Sequence, residues 1–377
     1  MDRQRNTPKR GARPGATGRQ RGWVTAGMAA ILAVAAFGPS GGVLAADNGQ
    51  RTFGDVSVFA SAPAPGHPFG IAVDDNDRVY VSTSAGDFFA GHQNSDDERV
   101  FTYDGDGALI NTTVIDTATN ADMGLFGLAL DGNSGTNHKL YVADMNGRIL
   151  RLDTSKKQAA PEVFSQVPAS SGLAGDWMLS MWNDLVFDTK GNLYVPDDKP
   201  RIWKVSPDGT ASIWVTDPRL AGLFGIAGGP LGGRIDPSGQ WLYVSITVAA
   251  NPAWTSQIWR IRLVDHPTAS DIELVHEFPF DPTAPASPQA TGLAFAKSGN
   301  LYVSLIGPNQ IAVLDPSGTE IARISDPRFH SPWGLAFSGK SLLVTNGDLE
   351  PGTNPDAWKI FKVYVGETGL PLNRPKT

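Results

Sequence analysis

The sequence contains no cysteine among its 377 residues. The chain therefore has no disulfide framework, no thiolate metal site and no cysteine nucleophile. Charged residues are also scarce, at 18%, against about a quarter in an average soluble domain. This composition excludes a coiled coil, a long helical array and disorder driven by charge.

Glycine and proline, in contrast, are abundant. The 42 glycines and 28 prolines supply about one residue in five. Both residue types favour turns, so the composition indicates many short strands joined by turns. A single all-β domain can reach this length.

The first 45 residues have the pattern of a secretory signal. Seven basic residues and one acid fall within residues 1–22, an apolar run extends from Trp23 to Phe37, and helix breakers precede a small-residue site at Val43-Leu44-Ala45. This is the three-part arrangement of a cleaved signal. The apolar run is shorter than the roughly 20 residues that span a bilayer, which favours cleavage over a membrane anchor. We expect residues 46–51 to form a short flexible N-terminus of a secreted protein, either extracellular or periplasmic.

Cleavage changes the charge of the protein. The mature chain would keep 24 basic and 37 acidic residues, and so a net charge of −13. An acidic exported protein is a poor candidate for binding nucleic acid or an anionic membrane. We therefore expect a monomer that binds a small molecule, with no nucleic-acid partner and no membrane contact after cleavage.

One sequence unit recurs six times in the mature chain. Each copy starts with a variable residue, then a glycine (once an aspartate), then an apolar run that we term strand A. A turn rich in Asp and Gly leads to strand B, usually Leu-Tyr-Val, and up to two more strands, C and D, follow. The six copies begin at Phe69-Gly70, Phe126-Gly127, Asn183-Asp184, Leu231-Gly232, Thr291-Gly292 and Trp333-Gly334.

Six units of this kind predict an all-β fold, a six-bladed β-propeller over residues 52–366 with four antiparallel strands per blade. The last unit lacks a strand D, and a spare strand-like segment lies near the N-terminus at residues 56–59. We expect this N-terminal strand to complete the last blade and so to remove an open sheet edge. Residues 367–377 are predicted to be a flexible C-terminal tail. Two packed domains divided near residue 216 are the alternative.

Loop lengths indicate which end of the propeller carries function. The loops after strand B and before strand A are long, whereas the turns at the opposite end are short, and long irregular loops carry function more often. The residues that start each strand A are expected to ring the axis at the loop-rich end. A mostly apolar ring predicts a small-molecule pocket, with ordinary packing of the aromatics in the channel as the alternative. The predicted ligand-binding residues are Phe69, Phe126, Trp182, Leu231, Thr291, Trp333 and Asn346.

The segment Trp182-Asn183-Asp184-Leu185-Val186-Phe187-Asp188, together with the Leu-Tyr-Val blades, resembles the senescence marker protein/gluconolactonase family. Related NHL-repeat and strictosidine-synthase-like propellers share the blade pattern. The resemblance covers residues 52–365 and implies a six-bladed propeller with lactonase activity. It also implies a divalent metal, held by oxygen ligands before several strands A, that polarises the lactone carbonyl and activates water.

The ligand positions that the resemblance implies are mostly replaced. Asn183 matches the first family asparagine, but Leu231 stands where the second would be, and Thr291 stands at the aspartate position. The first strand A is preceded by His67-Pro68 rather than by an acid. One neutral asparagine cannot hold Ca²⁺, which takes 6–8 oxygen ligands. The loop acids Asp144, Asp184, Asp197, Asp198 and Asp348 are candidates to rebuild the site.

Two functions are compatible with these observations. The first is a lactone or ester hydrolase with a degenerate metal site, in which Asn183 and Asp184 are catalytic and Asn183 and Asp197 bind a divalent metal such as Ca²⁺. The second is a non-catalytic propeller that binds a small molecule or a protein over the aromatic ring.

Overall fold

The computed structural model describes residues 51–64, 66–84, 98–115, 124–132, 138–144, 147–156, 160–173, 182–223, 228–283, 286–347 and 354–375. The predicted secretory signal, residues 1–45, lies outside these ranges. Within them, no helix is long and apolar enough to cross a membrane.

The strands form six four-stranded antiparallel sheets. In five of them the strands follow chain order from the axis outwards, and in the sixth the N-terminal strand is the outermost. Blades 1 to 3 comprise β2 (His67–Val73), β3 (Val79–Ser84), β4 (Glu98–Tyr103) and β5 (Leu109–Ile115); β6 (Leu125–Leu130), β7 (Lys139–Asp144), β8 (Arg148–Asp153) and β9 (Glu162–Gln166); and β10 (Val186–Phe187), β11 (Leu193–Asp197), β12 (Arg201–Val205) and β13 (Ala211–Thr216).

Blades 4 to 6 follow the same plan, and the described ranges also contain three single-turn 3₁₀ helices, at Ala169–Ser171, Pro218–Leu220 and Ala269–Asp271. The strands are β14 (Pro230–Ile235), β15 (Trp241–Ile246), β16 (Ser256–Arg262) and β17 (Ile272–Phe278); β18 (Ala290–Phe295), β19 (Leu301–Leu305), β20 (Gln310–Leu314) and β21 (Glu320–Ser325); and β22 (Pro332–Ser338), β23 (Ser341–Asn346), β24 (Lys359–Tyr364) and the N-terminal β1 (Val56–Ser61).

The two ends of the described chain meet in blade 6. Strand β1 pairs antiparallel with β24, from Val56 opposite Val363 to Ser61 opposite Lys359. This pairing joins the N-terminal strand to the last blade, so β24 has no open edge. The predicted six-bladed propeller is confirmed. A division near residue 216 is excluded, because Trp214 and Val215 of blade 3 share a core with Leu242 of blade 4.

The repeated strand-B tyrosine explains part of the packing between blades. Its ring meets a phenylalanine of the next blade's strand A edge-on, with ring centroids 5.1 Å apart for Tyr141 and Phe187 and 5.0 Å apart for Tyr243 and Phe295. Edge-to-face pairs of this kind are favourable beyond the area that they bury. The Leu-Tyr-Val signature therefore fills the spaces between neighbouring blades.

Near the axis, five of the six strands A carry a bulge at the ring residue and its glycine. The bulge frees the ring residue's carbonyl from its own sheet. In four cases a hydroxyl from strand B of the preceding blade donates to that carbonyl, as Ser245 does to Thr291 at 2.7 Å and Thr345 to Phe69 at 2.7 Å. We call these four residues the hydroxyl belt: Ser82, Ser245, Ser304 and Thr345.

The glycine that follows the ring residue is required because the carbonyl of the next blade's ring residue lies very close to it. A Cβ on Gly232 would lie 2.2 Å from the carbonyl oxygen of Thr291, and a Cβ on Gly70 would lie 2.1 Å from that of Phe126. No side chain fits at such distances, so glycine at these positions reflects the close approach of adjacent blades.

Residues 367–375 differ from the flexible tail that the sequence suggested. Gly369 forms a β-bridge with Ala296, and the Glu367 carboxylate accepts a hydrogen bond from the Tyr302 hydroxyl at 2.8 Å. Arg374 forms an ion pair with Asp75. The segment thus runs from blade 5 to blade 1 across the short-turn end of the channel. It lacks the alternating pattern of the blades, which is why its sequence did not reveal these contacts.

Replacement of Gly232 by alanine is expected to destabilise the propeller by about 3 kcal/mol or more, because the new methyl group overlaps a backbone oxygen that cannot move independently. The control is Gly105→Ala, since a Cβ there would meet only Asp77, at 3.2 Å from its Cβ and 3.5 Å from its carbonyl oxygen. Thermal unfolding of the two variants tests the argument. Equal melting temperatures would contradict a role for the close approach at the axis.

Candidate functional site

Aromatic rings close the loop-rich end of the channel. The rings of Phe69 and Phe126 stack with centroids 4.6 Å apart, and Trp333 meets them edge-on at 4.8 and 5.6 Å. Phe69 and Phe126 are only 1% and 2% exposed. The three side chains therefore pack chiefly against one another.

The space at the axis is correspondingly small. A cavity of about 30 Å³, lined by Phe69, Trp333, Asn183, Leu231 and other axial residues, has room for a water molecule or two. Thr291 is fully buried, with its hydroxyl 3.1 Å from that of Ser304 in the belt. Among the described residues, the predicted ring fills the channel instead of lining an open ligand pocket, which agrees with the packing alternative.

Asp184, predicted to be catalytic, forms part of the channel wall. Its Oδ2 accepts hydrogen bonds from the Gly233 amide at 2.9 Å and from Arg234 Nη1 at 2.8 Å, and its Oδ1 accepts from the Leu185 amide at 2.9 Å. The Asp184 and Arg234 side chains are each 11% exposed. These hydrogen bonds fix the position of the Asp184 carboxylate, and the Arg234 guanidinium balances its negative charge.

The position of Asp184 explains this structural role. Blade 3 has Pro196 where a belt hydroxyl would stand and Asp184 where the repeated glycine would stand. The carboxylate therefore supplies the link from blade 3 to blade 4 that a serine provides elsewhere. Between blades 2 and 3, Ala143 replaces the hydroxyl, and the Gly127 amide donates directly to the Asn183 carbonyl at 2.8 Å. Sequence reasoning did not identify Arg234, although the paired loss of serine and glycine in one blade was a usable signal.

The family's axial metal does not fit these residues. The ring offers only the Asn183 amide and the Thr291 hydroxyl as side-chain oxygen donors, whereas Ca²⁺ takes 6–8 oxygens, usually with carboxylates. The nearest carboxylate, that of Asp184, is paired with Arg234. The described residues contain no cluster of three or more metal-binding side chains. Among the described residues, the predicted metal ligands Asn183 and Asp197 therefore do not by themselves supply the oxygen donors of a divalent-metal site.

Two other candidates have structural partners. Asn346 is fully buried, accepts from the His330 amide at 2.6 Å and donates to the Asp356 carbonyl at 2.9 Å, so it fixes loops of blade 6. Asp144 pairs with Arg148, whose Nε lies 2.6 Å from the carboxylate. Asp348 lies outside the described residues.

The adjacent aspartates at the end of β11, Asp197 and Asp198, lie in different environments. Asp197 accepts hydrogen bonds from Arg201 Nε at 2.6 Å and from Trp203 Nε1 at 2.7 Å. Asp198 is 6% exposed and accepts from the amides of Gly228 and Gly229, and its buried Oδ1 has no hydrogen-bond partner within the described part of the chain. Burial, reinforced by the negative charge of Asp197, raises the pKa of Asp198 to about 7.

One further unpartnered group is linked to Asp198 through Gly229. The Thr247 hydroxyl is buried and has no hydrogen-bond partner among the described residues, and Gly229, which donates to Asp198, accepts from the Thr247 amide at 3.2 Å. The Trp182 indole nitrogen also lacks a partner among these residues, but Trp182 pairs with Asp197 and packs against blade 2, on the face of blade 3 opposite to Asp198. We call Asp198 and Thr247 the rim cluster. Buried polar atoms without partners are rare and, with a shifted pKa, mark candidate functional groups.

The pKa of Asp198 has a consequence for stability. Because its folded-state pKa of about 7 lies above its unfolded value, its contribution is fully present below about pH 4 and is lost as pH rises through 7, by roughly 4 kcal/mol. Asp198→Asn is therefore expected to raise the melting temperature at pH 8 by several degrees, with little effect at pH 4. Thermal melts across this range measure the difference.

Asp217→Asn is the matched control for this experiment. The Arg219 guanidinium lowers the pKa of Asp217, so loss of that carboxylate is expected to lower stability at neutral pH. The interpretation of Asp198 would be wrong if Asp198→Asn kept the pH dependence of the parent.

Solved structures show the same architecture at low sequence identity. Regucalcin from Agrobacterium tumefaciens, a calcium-binding protein, is 17% identical over 85% of this chain and 99% of its own, with a TM-score of 0.58. A luciferin-regenerating enzyme is 14% identical over 82% of this chain and 95% of its own, at 0.55. Virginiamycin B lyase from Staphylococcus aureus is 14% identical over 82% of this chain and 99% of its own, at 0.51. These similarities support the fold alone.

No curated protein sequence matches the chain significantly. The family model described as the SMP-30/gluconolactonase/LRE-like region matches residues 111–346. That range includes the Asn183-Asp184 segment and four complete blades, with parts of the other two. The chain therefore belongs to the SMP-30/gluconolactonase/LRE-like family.

Proposed function

We propose that the protein is exported and hydrolyses a small lactone or ester at the rim cluster, with the Asp198 carboxylate as general base. The observation that carries the proposal is the buried Asp198 Oδ1, which has no hydrogen-bond partner among the described residues, while burial raises the pKa of this carboxyl to about 7. A general base is most effective when its pKa lies near the working pH. Membership in a family that includes gluconolactonases supports a hydrolytic reaction.

The reaction follows from these groups. Ionised Asp198 accepts a proton from water while the water oxygen bonds to the substrate carbonyl carbon. The bond from that carbon to the ring or ester oxygen then breaks, and the departing oxygen takes up the proton from Asp198. A lactone gives a hydroxy acid, and an ester gives an acid and an alcohol. The Thr247 O–H, which has no partner among the described residues, is a suitable donor to the negative oxygen that forms in between.

The rim cluster is favoured over the axis because the carboxylate at the axis already has hydrogen-bond partners. The Asp184 carboxylate is bound by Arg234 and by two backbone amides, so it is not available to accept a proton from water. The side-chain oxygen donors of the axial ring, the Asn183 amide and the Thr291 hydroxyl, do not suit the divalent metal of the family. Neither Asp184 nor an axial metal therefore takes part in the proposed reaction.

Export is supported by the N-terminal pattern and by the acidic mature chain, at −13 after removal of residues 1–45. Mass spectrometry of the protein recovered from outside the cytoplasm would show the mature N-terminus near residue 46. Recovery of the intact leader there would contradict cleavage.

Hydrolysis of γ- and δ-lactones and of p-nitrophenyl acetate tests the reaction. We expect kcat/KM to rise with pH through about 7 and then to level off, because the ionised form of Asp198 is the active one. Asp198→Asn is expected to lower kcat by about 10²–10³-fold, with KM nearly unchanged. A chelator is expected to have no effect on the rate.

Asp208→Asn, in an exposed turn of blade 3, is the control and is expected to retain the activity and pH profile of the parent. Full activity of Asp198→Asn would overturn the role of this residue. No hydrolysis of any probe, combined with saturable binding of a lactone, would favour the non-catalytic function.

A further inference from the structure

A second cavity lies between blades 1 and 2, at the short-turn end and so away from the rim cluster. Its volume is about 300 Å³, which is within the range of small-molecule sites. Blade 1 contributes Tyr80, Asn111 and Thr113, and blade 2 contributes Leu140, Leu152 and Lys156. The cavity therefore combines an aromatic ring, apolar side chains and polar groups.

Blades 2 and 3 have an aromatic side chain of strand D at the position of this cavity, and blade 1 does not. In blades 2 and 3 an aromatic residue of strand D covers the strand-B tyrosine, with centroids 5.0 Å apart for Tyr141 and Phe164 and 4.7 Å apart for Tyr194 and Trp214. In both blades this aromatic is the extra residue of a bulge between strands C and D. The bulge turns the ring towards the neighbouring blade.

In blade 1 the corresponding bulge lies nearer the start of strand D. The extra residue is Ile110, which is 46% exposed and lines the cavity together with the small polar residues Asn111 and Thr113. Tyr80 makes no ring–ring contact with another described residue, unlike its counterparts in blades 2 and 3. Among the described residues, no aromatic ring of blade 1 therefore occupies the position that Phe164 and Trp214 occupy in their blades.

The charges around the cavity favour an anion. Arg78 lines the cavity and pairs through Nε with Asp74 at 2.7 Å, but its Nη2 is buried without a partner among the described residues. The Lys156 side chain is 70% exposed and lies 3.5 Å from Asp153, which also binds Lys139 at 2.9 Å. Of the described residues that line the cavity, the cations Arg78 and Lys156 exceed the one carboxylate, that of Asp153, by one positive charge.

We propose that this cavity binds a small aromatic carboxylate. The aromatic ring would cover Tyr80 and contact Leu140 and Leu152, in the place that Phe164 or Trp214 occupies in its own blade. The carboxylate would bind Lys156 and supply an acceptor for Arg78 Nη2. The site is independent of the proposed hydrolase activity, because it shares no residue with the rim cluster.

Benzoate titrated into the mature protein by isothermal calorimetry tests the proposal. We expect saturable binding at one site, with a dissociation constant on the order of 1 mM. Acetate has the charge without the ring, and benzyl alcohol has the ring without the charge, so each is expected to bind at least about tenfold more weakly. Absence of saturable benzoate binding, or equal binding of all three compounds, would overturn the proposal.

Two variants locate the site. Thr113→Trp places an indole in the cavity, as Trp214 does in blade 3, and is expected to abolish benzoate binding without lowering the melting temperature. Lys156→Glu is expected to weaken binding at least about fivefold, and it changes an exposed side chain, so it also tests the site if Thr113→Trp does not fold.

Lys190→Glu is the matched control, because Lys190 is an exposed residue of a blade 3 turn at the same end of the propeller. It makes the same change in net charge and is expected to leave benzoate binding unchanged. Equal losses in Lys156→Glu and Lys190→Glu would show a general charge effect and would contradict this site.

Discussion

The close approach of neighbouring blades at the axis is the constraint on which the rest of this propeller depends. A belt hydroxyl accepts from the glycine amide of its own blade and donates to a carbonyl of the next, as Ser245 does with Gly232 at 2.9 Å and Thr291 at 2.7 Å. The glycine permits this distance, and the bulge frees the carbonyl. Buried backbone groups near the axis are thereby paired, and the blades stand too close together to leave an open channel.

Blade 3 shows how this constraint can be met by a different residue. Asp184 replaces a glycine, and its carboxylate bonds both to Arg234 and to the Gly233 amide of blade 4. A buried ion pair offsets its desolvation only when further hydrogen bonds complete it, and the amides of Leu185 and Gly233 do so here. The Asn-Asp segment that marks the family is thus compatible with a structural role at the axis.

The residues that recur in every repeat could be predicted from the sequence, whereas contacts that occur only once in the fold could not. The glycines, the strand-B tyrosines and the Asp-Gly turns recur, so they identified six blades and the ring residues. The partner of Asp184 lies 50 residues away, and no periodicity links the two. Asp198 is buried beside the loop at Gly228 and Gly229, whose amides donate to it, and this loop has no counterpart in the other repeats. Asp198 was only one acid among several until its surroundings were known.

The same distinction, between repeated and unrepeated features, indicates where functional groups can lie in this fold. A change in the belt alters the contact between two blades directly, so the axial positions are occupied by groups with structural partners. The rim cluster and the space above Tyr80 lie where the repeat is interrupted, by a loop in one case and by a displaced bulge in the other. Both contain buried polar atoms without partners, namely Asp198 Oδ1 and Arg78 Nη2. Leaving such atoms unpaired has an energetic cost, which the regular packing of the remaining blades offsets, and a ligand that pairs with them gains free energy that a saturated surface cannot supply.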